Sequence, residues 1–167
     1  YGDWSSDVCS SDLVRPHGIT VAPDGAVFCT DDRDHTVRKF SPDGKLLFTL
    51  GTRGKPTDTG IEGLDYRSIQ RPGMPFNLPT NLAIAADGSL YVTDGYGNCR
   101  VHKFSAAGDY LFSWGTPGSG PGEFNLPHGI AIDRQGQIYV ADRENSRIQI
   151  FTPEGKYTGE WTDTSRP

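Results

Sequence analysis

The chain repeats itself three times, and no other feature of its 167 residues limits the possible folds so sharply. The segment PHGITVAPDGAVFCTDDRDHTVRKFSPDGKLLFTLG starts at Pro16. PTNLAIAADGSLYVTDGYGNCRVHKFSAAGDYLFSWG starts at Pro79, and PHGIAIDRQGQIYVADRENSRIQIFTPEGKYTGEW starts at Pro127. Each segment reads as four short runs rich in β-branched and aromatic residues, separated by turn signals. In the third, the runs are Gly129 to Ile132, Gln137 to Ala141, Arg147 to Thr152, and a last one ending near Trp161. The triplets Pro23-Asp24-Gly25, Pro42-Asp43-Gly44 and Ala86-Asp87-Gly88 suit tight hairpins, because glycine takes a positive φ without a Cβ clash. Four antiparallel strands in a repeat of this length predict a propeller blade, and hence an all-β chain of three four-stranded blades. The expected boundaries are blade one at 14–51, a connector insertion at 52–78, blade two at 79–115 and blade three at 116–167.

Composition agrees with strands and turns over helices: aromatics reach 11%, with 21 Gly and 12 Pro, and no apolar run has helical period. The net charge of -5 is spread along the chain without a basic block, so neither a nucleic-acid nor a membrane partner is expected. The compartment stays open, a secreted or periplasmic location being one reading. Residues 1–13 contain Ser-Ser-Asp twice and fit no blade. They read as a non-native lead, such as translated adapter DNA, with the blades starting near Val14. Three blades do not close a ring, so this stretch reads as a fragment, truncated in its third blade, whose expected partners include further blades of the same chain. The cysteines Cys9, Cys29 and Cys99 form no disulfide framework; Cys29 reads as a buried strand residue and Cys99 as a loop thiol.

The repeats carry their own control. Positions alike in all three, such as Pro16/Pro79/Pro127, Asp31/Asp94/Asp142 and Phe40/Phe104/Phe151, serve architecture. The recurrent aspartates read as local turn acceptors of backbone N–H bonds and not as calcium ligands. Function is sought where the blades differ. The residue leading into the first strand is His17 in blade one and His128 in blade three, but Thr80 in blade two. First strands are innermost, so two imidazoles from different blades could converge on the channel axis and hold a divalent metal, or merely bond to neighbouring blades. The loops after the second strands differ too. Tyr96, between Gly95 and Gly97, reads as a mobile hydroxyl at the channel mouth, able to act as a base or simply to pack on the rim. Arg143 offers a planar fork for a carboxylate, or pairs with a neighbouring acid. His35 and His102 read as surface residues.

The segments Leu126-Pro-His-Gly-Ile, Val92-Thr-Asp-Gly-Tyr-Gly-Asn and Ala141-Asp-Arg-Glu-Asn-Ser-Arg-Ile-Gln resemble the peptidyl-α-hydroxyglycine α-amidating lyase family, an NHL-repeat six-bladed propeller. The resemblance runs from about Val14 to Trp161. It implies a lyase that splits a peptidyl-α-hydroxyglycine into a peptide amide and glyoxylate. It further implies channel zinc on His17 and His128, Tyr96 as catalytic base, Arg143 as a substrate holder, and calcium in the full ring. The family's third metal histidine and second catalytic arginine belong to blades outside this sequence, so the three blades alone are expected to be inactive. Two other readings stay open. One is a non-catalytic NHL propeller that serves as a binding or scaffold module. The other is a propeller lactonase or esterase, whose metal would be held mainly by Glu, Asn and Asp.

Overall fold

The computed structural model describes residues 13–167; the proposed non-native lead, with Cys9, lies outside them except for Leu13. Three four-stranded antiparallel sheets follow one another, each in simple strand order. Blade one comprises β1 (Pro16–Val21), β2 (Val27–Asp31), β3 (Thr36–Phe40) and β4 (Leu46–Gly51). Blade two comprises β5 (Pro79–Ile84), β6 (Leu90–Asp94), β7 (Arg100–Phe104) and β8 (Tyr110–Trp114). A two-stranded parallel ladder, β9 (Thr116–Pro117) and β10 (Glu123–Phe124), leads into blade three. That blade comprises β11 (Pro127–Ile132), β12 (Ile138–Asp142), β13 (Arg147–Phe151) and β14 (Tyr157–Trp161). Gly25, Gly44 and Gly88 have φ of 82°, 85° and 83°, as the hairpin triplets require.

The blades stack face to face, and the apolar core lies between them. Leu82, Leu90, Val92 and Phe104 on the leading face of blade two join Phe28, Val37 and Leu50 of blade one, with Phe76 of the connector, in one buried cluster. Ile138, Val140 and Phe151 of blade three repeat this against Tyr91, Cys99 and Val101 of blade two, with Phe124 sealing the join. At ~25 cal/mol per Å², these two seams supply most of the driving force for stacking. Cys99 lies in the loop before β7, as read, but is buried at a seam, and burial pushes its thiol pKa up to about 12. Cys29, expected inside, is only half-buried, because the leading face of blade one has no blade against it among the described residues.

The insertion is not a loose loop. It turns through a short 3-10 segment at Tyr66–Ser68, capped by the Asp65 side chain; Gly73 N–H ties it to blade two at Asn98 Oδ1, 2.9 Å away, and further bonds close it on itself. Thr57 N–H donates to Phe76 O at 2.8 Å, and Gln70 N–H to Thr59 O at 2.9 Å.

Candidate functional site

The first strands β1, β5 and β11 lie side by side, so their leading residues come together at one end of the stack. Each begins with proline, which has no N–H for the ladder and is tolerated at a strand's first residue. Just after it, each strand holds one extra residue against its partner: the register slips between Pro16 and Gly18, Pro79 and Asn81, and Pro127 and Gly129. The bulged residues are His17, Thr80 and His128. A bulge takes a residue out of the ladder and re-aims its side chain. Thr80, the exception among them, lies 2.9 Å through its hydroxyl from Pro127 O and bridges blades two and three.

His17, Tyr96 and His128 meet in one cluster. The two imidazole rings are 4.7 Å apart between centroids at 73°. The Tyr96 hydroxyl lies 3.4 Å from His17 Nε2 and 3.2 Å from His128 Nε2. His17 Nδ1 is 2.8 Å from Thr80 O, which can only accept, so Nδ1 carries a proton and Nε2 is the nitrogen that presents a lone pair in the neutral ring. The bond to a neighbouring blade and a ligand role are thus compatible in one residue. Burial lowers the His128 pKa to about 4, helped by Arg143 and by His17 whenever that ring is protonated, so the His128 imidazole is neutral at pH 7.

Arg143 stands near enough to act on His128, in the short turn Arg143–Asn145, but its Nε donates to Glu144 Oε1 at 3.0 Å. Glu144 also receives Arg166 at 2.5 Å. Of the four sequence-predicted residues, three touch and the fourth is held beside them by its own neighbour. Two imidazole nitrogens aimed at one point suit half of a tetrahedral zinc shell. Among the described residues, no group of three or more His, Cys, Asp or Glu gathers around such a point. The remaining donors would have to come from beyond these blades.

Gly95 and Gly97 do not make Tyr96 mobile. A Cβ on Gly95 would stand 2.3 Å from Pro127 O, and one on Gly97 2.3 Å from Asn77 Oδ1. The glycines permit close approach, and the loop is fastened by it. Thr59 Oγ1 donates to Gly97 O at 2.7 Å, Gly97 N–H to Asn77 O at 3.0 Å, and Asn77 Nδ2 to Thr57 O at 3.0 Å. The recurrent aspartates accept backbone N–H groups, as read from the sequence, but from the segment leading into the first strand, 16 or 17 residues earlier, and not only from a local turn. Asp94 accepts from Asn77 N–H, Asp142 from Asn125 N–H, and Asp31 from Arg15 N–H.

Two histidines depart from their surface reading. His102 is fully buried, 3.4 Å from Asp94 Oδ2 and edge-on to Phe76. His35 is half-buried and accepts the Leu78 N–H at 3.1 Å on Nδ1; burial lowers its pKa. The repeats held a signal for His102: its equivalents Arg38 and Gln149 are also polar, and both are buried.

Comparison with known proteins sets this geometry beside named relatives. The NHL repeat matches residues 76–104 and 124–151. Over 161 residues, 89% of this chain, the sequence is 35% identical to peptidyl-alpha-hydroxyglycine alpha-amidating lyase 1 of Drosophila melanogaster, of which it covers 26%. Over 87% of the chain it is 36% identical to human NHL repeat-containing protein 3, of which it covers 41%. The chain thus spans well under half of either relative. Among solved structures, a gluconolactonase from Xanthomonas campestris superposes with a TM-score of 0.64 at 20% identity, over 92% of this chain and 49% of that one. That likeness is one of fold.

Proposed function

We propose, for a chain that carries NHL repeats and folds as their four-stranded blades, that it forms part of a lyase cleaving peptidyl-α-hydroxyglycine to a peptide amide and glyoxylate. The observation that carries the reading is the convergence of His17 Nε2 and His128 Nε2 on the Tyr96 hydroxyl. Identity alone does not choose, since the Drosophila lyase and human NHL repeat-containing protein 3 match almost equally well.

In this reading Tyr96 is the general base and takes the proton of the substrate's α-hydroxyl. The oxygen's electrons form the carbonyl of glyoxylate, and the Cα–N bond breaks. Its electron pair goes to the amide nitrogen, which gains a proton and leaves as the peptide amide. His17 and His128 would hold the zinc, which supplies Lewis-acid polarisation of the hydroxyl when bound. Thr80 O keeps His17 in the tautomer that presents Nε2. Arg143 would bind the substrate carboxylate by exchanging it for Glu144. Calcium, if the complete ring holds it, has a structural part.

The test is glyoxylate release from a model peptidyl-α-hydroxyglycine by the longest form of the protein that carries these blades, with and without added zinc. Zinc-dependent release that Tyr96→Phe reduces by at least about a hundredfold, with an unchanged melting curve, supports the reading. Absence of release from a folded, zinc-supplemented protein overturns it. The second reading is a non-catalytic NHL propeller that binds peptide or small-molecule ligands. What favours it is the engagement of Arg143 by Glu144 and the half-set of metal donors in the described residues. A lactonase would need acidic metal ligands at the channel, and the cluster offers imidazoles.

A further inference from the structure

His17 and Tyr96 form part of the wall of a cleft of about 730 Å³, the rest of whose lining the chemistry above does not use. Arg15 and Arg33 of blade one line it, with Leu64 of the insertion and Leu78 at its end. Leu64 occupies the tight turn closed by Asp65 N–H to Glu62 O at 3.2 Å, and it is 67% exposed. Leu78 is held at φ 66°, a left-handed conformation unusual outside glycine. Its N–H is bonded to His35, and its side chain closes one wall.

The charges at this rim are nearly all consumed. Asp31 accepts the N–H groups of Arg15 and Asp34, and Asp32 takes Arg15 through two nitrogens. Asp34 takes Arg38 and Arg53. Each of the three aspartates around Arg33 is therefore engaged elsewhere, and Arg33 makes no ion pair among the described residues. An unpaired guanidinium in the lining of a cleft, which an exposed leucine and the candidate base also line, has the chemistry to receive an anion attached to an apolar body.

We propose that this cleft is a peptide subsite in which Arg33 pairs with a carboxylate of the bound peptide, while Leu64 and Leu78 cover its apolar side chains. The carboxylate has two possible sources: the peptide's C-terminus, which Arg33 would then share with Arg143, or an acidic side chain next to the terminal glycine. The proposal rests on the lyase reading for the ligand class, but its test does not need turnover.

The chain is titrated calorimetrically with three unreactive peptides: N-acetyl-Phe-Gly, its C-terminal amide, and N-acetyl-Glu-Gly amide. The expected result is that at least one carboxylate-bearing peptide binds about tenfold tighter than the neutral one. Arg33→Gln removes that preference and Arg33→Glu reverses it, while neutral-peptide binding and the melting curve stay unchanged. Whichever peptide loses affinity identifies the source of the carboxylate. Raising the salt concentration also weakens the preference, since the guanidinium is exposed. Leu64→Ala lowers affinity for all three peptides alike. Binding that ignores Arg33, or no binding by any of the three, overturns the subsite. Glyoxylate release is scored separately. Arg33-dependent binding without release sinks the lyase reading alone, and release with Arg33-independent binding sinks the subsite alone.

Discussion

The leading faces of blade one and blade two carry the same residue pattern and meet opposite surroundings. In blade two, Leu82, Leu90, Val92 and Phe104 are covered by blade one, with Leu82 only 3% exposed. The equivalents Ile19, Val27 and Cys29 in blade one line an open apolar groove, and Ile19 is 70% exposed, whereas Phe40 at its floor is as buried as Phe104. Intrinsic strand preference is alike in the two blades, so it explains none of the difference. A blade of this kind is only half of a stable unit, and the seam between two blades is the whole one.

The largest effect that could break this comparison is expected at the seam itself. Phe104→Ala removes a ring that is 3% exposed and packed on Phe76. It should cost about 3–5 kcal/mol in urea unfolding; a loss under about 1 kcal/mol would mean that the seam does not hold the blades together. A matched pair sharpens the point. Leu82→Ala should cost about 2–4 kcal/mol, and Ile19→Ala no more than about 0.5 kcal/mol. Equal costs would show that something covers Ile19 in solution. The smallest effect is chemical. In a Cys9→Ser background, Cys29 should react with a thiol reagent in the folded protein, whereas Cys99 should react only on unfolding, because burial holds its pKa at about 12. Similar labelling rates at the two positions would erase the difference between open face and seam.

Much of the architecture is legible in the residues. The turn triplets and β-branched runs place the strands of the third repeat within about two residues of β11 to β14, inside the usual uncertainty of element ends. What misleads is the polar company His102 keeps in the chain, between Arg100 and Lys103, which reads as exposed. Two-residue alternation sets it on the face of the buried Phe104. In a stack of sheets both faces are covered, and alternation no longer separates inside from outside. The same stacking hides Cys99. At the site, the contrast of His17 and His128 with Thr80 marks the right positions, and a bulge brings the two imidazoles together. The glycines around Tyr96 look in sequence like freedom of movement, because the Asn77 and Pro127 atoms that press on them are distant in the chain. The Arg33 guanidinium is equally hidden: it is unpaired only because Asp31, Asp32 and Asp34 are engaged by groups from other strands and loops.

The fastening of the insertion to the Tyr96 loop also bears on how such a protein can change over evolutionary time. Thr59, Asn77 and Gly97 bind the stretch that carries Leu64 to the loop that carries the phenol. A lineage that lengthens, shortens or exchanges this stretch therefore alters what lies against the ligand and re-seats the reactive hydroxyl in the same event. The two traits are inherited as one. Grafting the stretch between relatives would succeed only if the loop travelled with it.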